Sequence, residues 1–327
     1  MNRKVSILMP VYNAAPFLVD CLNSIFSQDY VHWELVAVDD FSEDRSLEIL
    51  KEAAKNEPRL RVLQNEEKGI IPALQLAYSN CNGVFITRMD ADDLMPKRKL
   101  SLLLSALLVN GRGHVSTGYV KYFAELGVSK GYLTYENWLN KLCEKNSHFE
   151  EIYKECVIPS PCWMMYRDDF EQIGAFDSKI YPEDYELCFR MYASGLQVLS
   201  QKEICHLWRD HAKRSSRIDE NYSDNRFLDL KITQFLAIDF RVQRSLVLWG
   251  AGKKGKLLAQ KLIQEGIPFL WICNNKNKIG KEIYRQVMLD AATLNLESKQ
   301  IIVAVASPEE KKEIQAKLEG HLAYYFC

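Results

Sequence analysis

Residues 5–40 read VSILMPVYNAAPFLVDCLNSIFSQDYVHWELVAVDD, and this stretch decides the fold. It begins with an apolar run that is typical of a buried strand, and Pro16 then opens a helix with apolar residues on one side. A second apolar run follows and ends in two acids, Asp39 and Asp40. A strand, a helix and a strand in this order predict two parallel strands with the helix packed on one face of their sheet.

The same alternation continues as far as residue 90. Two more helices are predicted over residues 44–55 and 71–80, and two more strands over residues 59–65 and 83–90. The prediction is therefore an α/β fold with a mostly parallel sheet and helices on both faces.

Ligands of such sheets lie at the carboxyl ends of the strands. Three polar stretches occupy predicted strand ends in this chain: PVYN (10–13), VDDFSED (38–44) and RMDADD (88–93). We expect these stretches to meet in one cleft.

The third polar stretch places three carboxylates within four positions, at Asp90, Asp92 and Asp93. Like charges this close repel one another, so a cation is expected beside them. Asp90 and Asp92 have a metal-binding spacing, and their hard oxygen atoms suit Mg²⁺ or Mn²⁺. A solvated acidic turn is the alternative, but the buried strand before it and Pro96 at a helix start after it favour a metal site.

The composition sets the broad class of protein. Of 327 residues, 47% are hydrophobic, which is enough for one large core or two smaller ones. Nine cysteines without a C-x-x-C pair argue against a disulfide framework and against a zinc site. The N-terminus lacks signal-peptide anatomy and no apolar stretch approaches the roughly 18 residues that span a bilayer, so the predicted location is cytoplasmic.

Two domains are predicted, over residues 1–240 and 241–327. The second begins with the strand SLVLW and the loop GAGKKG (250–255), a G-x-G-x-x-G between a strand and a helix. Asn274 stands where a dinucleotide site has an acid, and the unit is short. These features favour a structural Rossmann-like domain over an NAD-dependent oxidoreductase, and they leave phosphate or nucleotide contact at the helix start open.

The second domain is also basic, with 14 Lys and Arg against 8 Asp and Glu, a net charge of +6. The remainder of the chain has a net charge of −7, since the whole chain sums to −1. A basic domain permits a polyanionic partner, although surface lysines also serve solubility alone.

Residues 4–100 and the later stretches 158–191 and 206–216 resemble the nucleotide-binding half of glycosyltransferase family 2, which has the GT-A fold with its mixed sheet. The resemblance covers most of residues 1–217. It implies that the first domain is catalytic. The implied reaction is an inverting, metal-dependent transfer of a hexose from a nucleotide-sugar, a UDP-sugar, to an acceptor hydroxyl. The implied cofactor is Mn²⁺ or Mg²⁺.

The resemblance also implies where the donor nucleotide binds. The loop that would line the base consists of Pro10, Val11 and Tyr12. Asp40 would accept the imide N–H of the base, and Asp39 would support it or contact the ribose. The family often has Gly after these acids, and Phe41 in this chain leaves the shape of the base pocket open.

The same resemblance assigns the metal site. Asp92 would be the main protein ligand of the metal on the diphosphate, Asp90 would lie near the ribose and the metal, and Asp93 near the donor sugar. His211 would lie near the metal and Arg209 would pair with phosphate. The basic neighbours Lys213, Arg214 and Arg217 fit a phosphate site and a solvated basic loop equally well.

The catalytic residues are expected in the sequence Pro182-Glu183-Asp184. Proline suits a first helical turn, so both acids lie at the positive end of a helix, which favours an ionised carboxylate. In the family the second acid of this pair is the general base, which implies that role for Asp184. Trp163 lies where relatives build the acceptor side, and core packing is its alternative role.

The two-domain layout resembles that of the galactosyltransferases that act on queuosine in tRNA, through WGAGKKGKLL, NNKNKIGKEIY and AYYFC. This resemblance implies tRNA as the acceptor, and the basic tail is consistent with it. An envelope polysaccharide or lipid-linked glycan is the alternative acceptor. A non-catalytic nucleotide-sugar-binding protein is the alternative of another class, and the complete set of acids argues against it.

Overall fold

The computed structural model of this chain describes residues 3–125, 127–212, 214 and 227–327. The chain divides into two compact units. The first contains residues 1–150 and 157–214, and the second contains residues 151–156 and, among the described residues, 227–327. The boundary therefore lies earlier than the predicted position after residue 240.

Seven strands form the sheet of the first unit: β1 (Val5–Val11), β2 (Trp33–Asp39), β3 (Leu60–Gln64), β4 (Phe85–Arg88), β5 (His114–Phe123), β6 (Met164–Tyr166) and β7 (Gln197–Arg209). Their order is β3-β2-β1-β4-β6-β5-β7. The first four are parallel, β6 is antiparallel to both its neighbours, and β5 is parallel to β7. This confirms the predicted mostly parallel mixed sheet.

The helices of the first unit are α1 (Ala15–Phe26), α2 (Ser46–Asn56), α3 (Ile70–Ser79), α4 (Lys99–Asn110), α5 (Lys130–Lys145), α6 (Arg167–Gln172) and α7 (Glu183–Ala193). A 3₁₀ helix occupies His148–Glu151. In α1 the proline lies in the first turn, and Leu18, Cys21, Leu22 and Ile25 are buried on one side. The apolar periodicity of the sequence therefore identified the face that packs on the sheet.

The strand register brings the predicted polar stretches to one edge of this sheet. Val11 is paired with Asp39 in β1 and β2, and the amide of Asp40 donates to the carbonyl of Val11 at 2.8 Å. β4 lies on the other side of β1, with Leu8 opposite Arg88. The acids that follow β2 and β4 therefore flank the end of β1, as expected for parallel strands.

The second unit has its own six-stranded sheet, with strands β8 (Ser245–Trp249), β9 (Phe269–Cys273), β10 (Glu282–Ile283), β11 (Gln286–Asp290), β12 (Lys299–Val303) and β13 (Leu322–Tyr325). Their order is β10-β11-β9-β8-β12-β13, and only the β10–β11 pairing is antiparallel. The predicted second α/β domain is thus present.

Three described helices belong to the second unit: α8 (Leu228–Ile238), α9 (Lys253–Gln264) and α10 (Pro308–Lys317). Helix α8 lies within residues 1–240, which the sequence assigned to the first domain. The core on one face of the sheet includes Trp249, Ile272 and Ile301, and each of these residues is 0% exposed.

All nine cysteines are free thiols, and eight of them are buried. Within the described ranges no helix combines the length and the apolar character that crossing a bilayer requires.

Candidate active site

Arg88, the last residue of β4, connects the acidic loop to α7. Its guanidinium donates to Asp90 Oδ1 at 3.1 Å and to Glu183 Oε1 at 2.8 Å. The Arg88 residue is only 4% exposed, and the two carboxylates keep its pKa raised although burial opposes the charge. One buried cation thus holds the acidic loop beside the beginning of the α7 helix.

Asp184 lies one residue further along α7, and its carboxylate accepts from the amide of Tyr185 at 2.7 Å. Burial raises the pKa of Asp184 to about 7, and the charges of Glu183 and Asp90 add to this effect while Arg88 opposes it. The helix end was expected to keep this carboxylate ionised, but desolvation and like charges outweigh the helix. A pKa near neutrality is what a general base requires.

Asp92 lies beside His211, with 2.9 Å between Asp92 Oδ2 and His211 Nε2. Burial works to raise the pKa of Asp92, but the hydrogen bond from His211 and the charge of Arg214 outweigh it and the pKa is lowered. The ring of His211 also packs on Phe17 from α1, with 4.3 Å between ring centroids. The Asp92 carboxylate is therefore favoured in its ionised form and is held in place by an imidazole.

Asp90 differs from Asp92 in the direction of its pKa shift, which is upward. Burial raises its pKa, Arg88 lowers it, and the charge of Asp92 raises it again. The two acids of the D-x-D spacing thus repel each other, as the sequence predicted. A divalent cation at this position would relieve that repulsion.

The buried side chain of Asp93 links the acidic loop to β7. It is 0% exposed, and its carboxylate accepts from the amide of Arg209 at 2.7 Å and lies 2.9 Å from His206 Nε2. Burial raises the pKa of Asp93 and lowers that of His206. The predicted contact of Asp93 with the donor sugar is thus corrected, because no surface of this side chain faces a ligand.

Arg209 ends β7 and reaches across the loop to α1. Its Nε donates to the carbonyl of Asp92 at 2.9 Å and its Nη2 to Asp20 at 3.3 Å. Its guanidinium lies between the rings of Phe17 and Phe123, 5.1 and 4.8 Å from their centroids. Arg209 therefore fixes the acidic loop, and its guanidinium carries N–H groups beyond those used in these two bonds.

Asp39 and Asp40 have different environments. The Asp40 carboxylate accepts from Asn65 Nδ2 at 2.7 Å and from the amide of Gly69 at 2.9 Å, at the start of α3. Asp39 is 3% exposed, and its Oδ1 has no hydrogen-bond partner among the described residues. A buried carboxylate oxygen without a hydrogen-bond donor costs free energy of folding. Of the two acids, Asp39 therefore has the oxygen that could accept a hydrogen bond from a ligand N–H or O–H group.

The loop after β1 presents one ring to solvent. Tyr12 is 50% exposed, and Lys68 Nζ lies 4.9 Å from its ring centroid. Pro10 is half-buried, whereas Val11 is fully buried and its carbonyl is bonded to Asp40. Of the three predicted base-lining residues, Tyr12 has the surface to stack on a base.

Phe41 explains why a glycine is common after these acids. Its φ is +59°, in the left-handed region where a side chain is disfavoured, and it is 47% exposed. This phenylalanine therefore lies at the rim of the cleft, in a backbone conformation that glycine would adopt without strain.

Two further predicted residues take other roles. Trp163 is 2% exposed and packs on Phe170 with 5.4 Å between ring centroids, so its role is in the core and not on the acceptor side. Glu183 was expected to be catalytic, but its carboxylate is engaged by Arg88 and is 9% exposed, which makes it a positioning residue.

A divalent cation fits the donor set of this site in part. Among the described residues, no three His, Cys, Asp or Glu side chains are gathered closely enough to hold an ion alone. Asp92 Oδ2 and His211 Nε2 lie 2.9 Å apart, so an oxygen and a nitrogen could take one cation between them in place of their hydrogen bond. Diphosphate oxygens would complete the coordination, as is usual for Mg²⁺ bound with nucleotides.

Sequence reasoning gave no role to Arg88, His206 and Asn65. Arg88 had a usable signal, because a charged residue ends a buried four-residue strand directly before three acids. Arg214 also matters, since its Nη1 donates to the carbonyl of Arg209 at 2.7 Å. The other basic neighbours considered from sequence, at positions 213 and 217, lie outside the described residues.

Comparison with known proteins gives the family. The model described as Glycosyl transferase family 2 matches residues 6–174, just over half of the chain. Glycosyltransferase GlyA of Streptococcus pneumoniae is 27% identical over 225 residues, which are 67% of this chain and 32% of GlyA. Chondroitin synthase of Escherichia coli is 36% identical over 100 residues, 31% of this chain and 15% of the synthase. The chain therefore spans only a minor part of the length of these two relatives.

Two solved structures share the fold. TarS of S. aureus in complex with UDP-GlcNAc has a TM-score of 0.54 and 20% identity, and covers 73% of this chain and 68% of its own. The mannosyltransferase PcManGT of Pyrobaculum calidifontis, in complex with GDP-Man and Mn²⁺, has a TM-score of 0.50 and 18% identity, with 80% of each chain covered. At this identity the likeness shows the fold, which confirms the predicted GT-A architecture.

Proposed function

The chain belongs to glycosyltransferase family 2, and we propose from this that its first unit transfers a hexose from a UDP-sugar to an acceptor hydroxyl with inversion. One observation carries the proposal. Arg88 joins Asp90 of the acidic loop to Glu183, and the charges of Arg88 and Asp90 act on the neighbouring carboxylate of Asp184, whose pKa is about 7.

The donor nucleotide is proposed to lie between Tyr12 and the ends of β1 and β2. Its base stacks on the exposed ring of Tyr12, and the unpaired Oδ1 of Asp39 accepts a hydrogen bond from the base or the ribose. Asp40 acts indirectly, because its carboxylate is used by Asn65 and Gly69 to shape this wall. UDP and UDP-GlcNAc in the TarS structures support a uridine donor.

The metal is proposed to be Mn²⁺ or Mg²⁺, held by Asp92 and His211 together with the diphosphate. Bound there, it would neutralise the charge that develops on the leaving diphosphate. Asp90 lies near it and stays fixed by Arg88. Arg209 holds the loop through the Asp92 carbonyl and offers its free N–H groups to a phosphate oxygen.

The chemistry is a single displacement. Asp184 accepts the proton of the acceptor hydroxyl on its carboxylate, and the oxygen forms a bond to the anomeric carbon as the bond to the diphosphate breaks. The nucleoside diphosphate leaves with the bonding electrons. One displacement at this carbon inverts its configuration.

The test is UDP binding measured by calorimetry with Mn²⁺ or with a chelator. Asp92→Asn should weaken UDP binding about tenfold or more with Mn²⁺ present, and leave binding in chelator unchanged. The matched control is Asp168→Asn. The Asp168 side chain is 65% exposed and pairs with Arg112, so this variant should bind UDP as the unmodified protein does. An equal loss in chelator would refute metal ligation by Asp92.

The acceptor is proposed to be a sugar hydroxyl of a growing polysaccharide, which the name of the chondroitin synthase relative supports. Queuosine in tRNA is the second candidate, because residues 241–327 carry a net charge of +6. Parallel incubations of UDP-sugars with total tRNA and with oligosaccharides, followed by mass measurement of the digested nucleosides and of the oligosaccharides, decide between them. A gain of one hexose on a modified guanosine establishes tRNA, and transfer only to an oligosaccharide establishes the glycan.

A further inference from the structure

The second unit contains a cavity of about 400 Å³ at the carboxyl ends of three of its strands. Its walls are the loops after β8, β9 and β12, represented by Gly252, Asn274 and Ser307. β8 lies between β9 and β12 in the sheet, so the strand order along the chain changes direction at β8. Open α/β sheets bind ligands at such a position.

The three glycines of the G-x-G-x-x-G loop have different reasons to be glycine. Gly250 has a φ of +129°, and a Cβ there would lie 2.8 Å from the carbonyl oxygen of Ala304. A Cβ on Gly255 would collide with the carbonyl of Gly250. The fold itself therefore requires glycine at both positions.

Gly252 has no such reason. Its φ of −78° and ψ of −169° suit any residue, and beyond its two chain neighbours no atom of the described residues lies within 4 Å of where its Cβ would be. Its missing side chain instead opens the wall of the cavity beside the first turn of α9. Gly252 is the N-cap of α9, a position that favours glycine, and the absence of a side chain also lets a ligand approach the backbone closely there.

The charges beside Gly252 are arranged for an anion. Helix α9 begins with Lys253 and Lys254, has no acid in its first turn and no side-chain cap, so cations lie at its positive end. Lys278 adds a third ammonium group, which donates to the carbonyl of Ala251 at 2.8 Å.

The opposite wall of the cavity has different chemistry. Asn274 Nδ2 donates to Glu310 Oε1 at 2.9 Å, which holds a carboxylate against the cavity. A carboxylate repels phosphate and accepts hydrogen bonds from hydroxyl groups. The sequence lacked the acid that follows β9 in dinucleotide sites, and the structure supplies one from α10 on the other side of the cleft.

We propose that this cavity is a second ligand site of the protein, which binds a phosphate ester carrying free hydroxyl groups. Its phosphoryl group lies on the backbone amides at Gly252 and Lys253, beside Lys254, and its hydroxyls face Asn274 and Glu310. Nucleotides and sugar phosphates share this chemistry. All residues of this site belong to the second unit. The proposal therefore does not depend on the transfer reaction proposed for the first unit.

The test uses the full chain in chelator, with AMP, glucose 1-phosphate and inorganic phosphate titrated by calorimetry. At least one of the two esters should bind with a Kd below about 1 mM, and inorganic phosphate at least about tenfold more weakly. Tighter binding of AMP assigns the site to nucleotides, and tighter binding of glucose 1-phosphate assigns it to sugar phosphates.

Variants locate the binding. Gly252→Val should weaken binding of the ester at least about tenfold, because its side chain fills the phosphoryl position, while the midpoint of urea unfolding stays unchanged. Lys254→Gln should weaken binding several-fold, and Lys256→Gln, an exposed lysine of the same helix outside the cavity, should not. Binding of neither ester at about 5 mM, or binding that Gly252→Val leaves unchanged, overturns the proposal.

Discussion

The guanidinium of Arg88 donates to the carboxylate of Glu183 at 2.8 Å, across 95 positions of the chain. Because the same guanidinium also holds Asp90, one side chain joins the end of β4 to the beginning of α7. The proposed metal site and the proposed base therefore keep a fixed relation to each other.

Replacing Arg88 tests this connection. Arg88→Met would leave two buried carboxylates without a cation, so we expect a loss of about 3–5 kcal/mol in the free energy of unfolding. Arg88→Lys should retain more of the stability but lose the two-sided contact, and kcat should fall while the KM for the donor changes less. Urea unfolding and steady-state kinetics measure these effects.

The matched control is Arg98, which pairs with Glu203 at 2.9 Å with both side chains about half exposed or more. Arg98→Met should cost no more than about 1 kcal/mol. Equal effects at the two arginines would show that Arg88 has no special structural role.

The pH dependence of turnover depends on Asp184. Its carboxylate must be deprotonated to accept a proton, and burial raises its pKa to about 7. We expect kcat/KM to fall roughly tenfold per pH unit below about pH 7 and to level off above it. Asp184→Asn should reduce kcat by about 10³-fold or more with donor binding retained. Unchanged turnover in this variant would remove Asp184 from the base role.

The same pKa predicts an effect on stability. Folding raises the pKa of Asp184 above its unfolded value, so the protonated form is favoured by the fold. The contribution of Asp184 to stability is complete at low pH and is lost as the pH rises through about 7. Asp184→Asn, which cannot ionise, should therefore be more stable than the unmodified protein by about 1–3 kcal/mol at pH 8.5, and nearly equal at pH 4. Urea unfolding at both pH values measures the difference; a variant that is less stable at high pH contradicts it.

The two neighbouring acids after β2 should behave differently. Asp40→Ala removes the acceptor for Asn65 and Gly69, so the free energy of unfolding should drop by about 1–3 kcal/mol. Asp39→Asn removes an oxygen that lacks a partner within the described chain, so stability should change little while UDP binding weakens about tenfold. Calorimetry with UDP and urea unfolding of both variants test this contrast. A large loss of stability in Asp39→Asn would show that its free oxygen has a structural partner after all.

Local patterns predicted much of the first unit. The apolar runs and the helical periodicity in residues 5–90 gave the strands and helices in the correct order, and the strand ends identified the position of Asp39 and Asp90. These features depend on spacing along the chain, which the sequence contains in full. The division between the two units was less accessible, because α8 looks like an extension of the first unit until its packing is known.

The sequence by itself therefore determined the sheet, the family of the chain and the edge at which the acids gather. Only the tertiary structure decided which of them differ in function: Asp93 is buried under the loop, Asp39 keeps a free oxygen, Trp163 packs in the core and Asp184 acquires a pKa near 7. The physical reason is that desolvation and ion pairing depend on partners far away in sequence. Arg88 and Glu183 are adjacent only after the chain has folded, and no local pattern contains that distance.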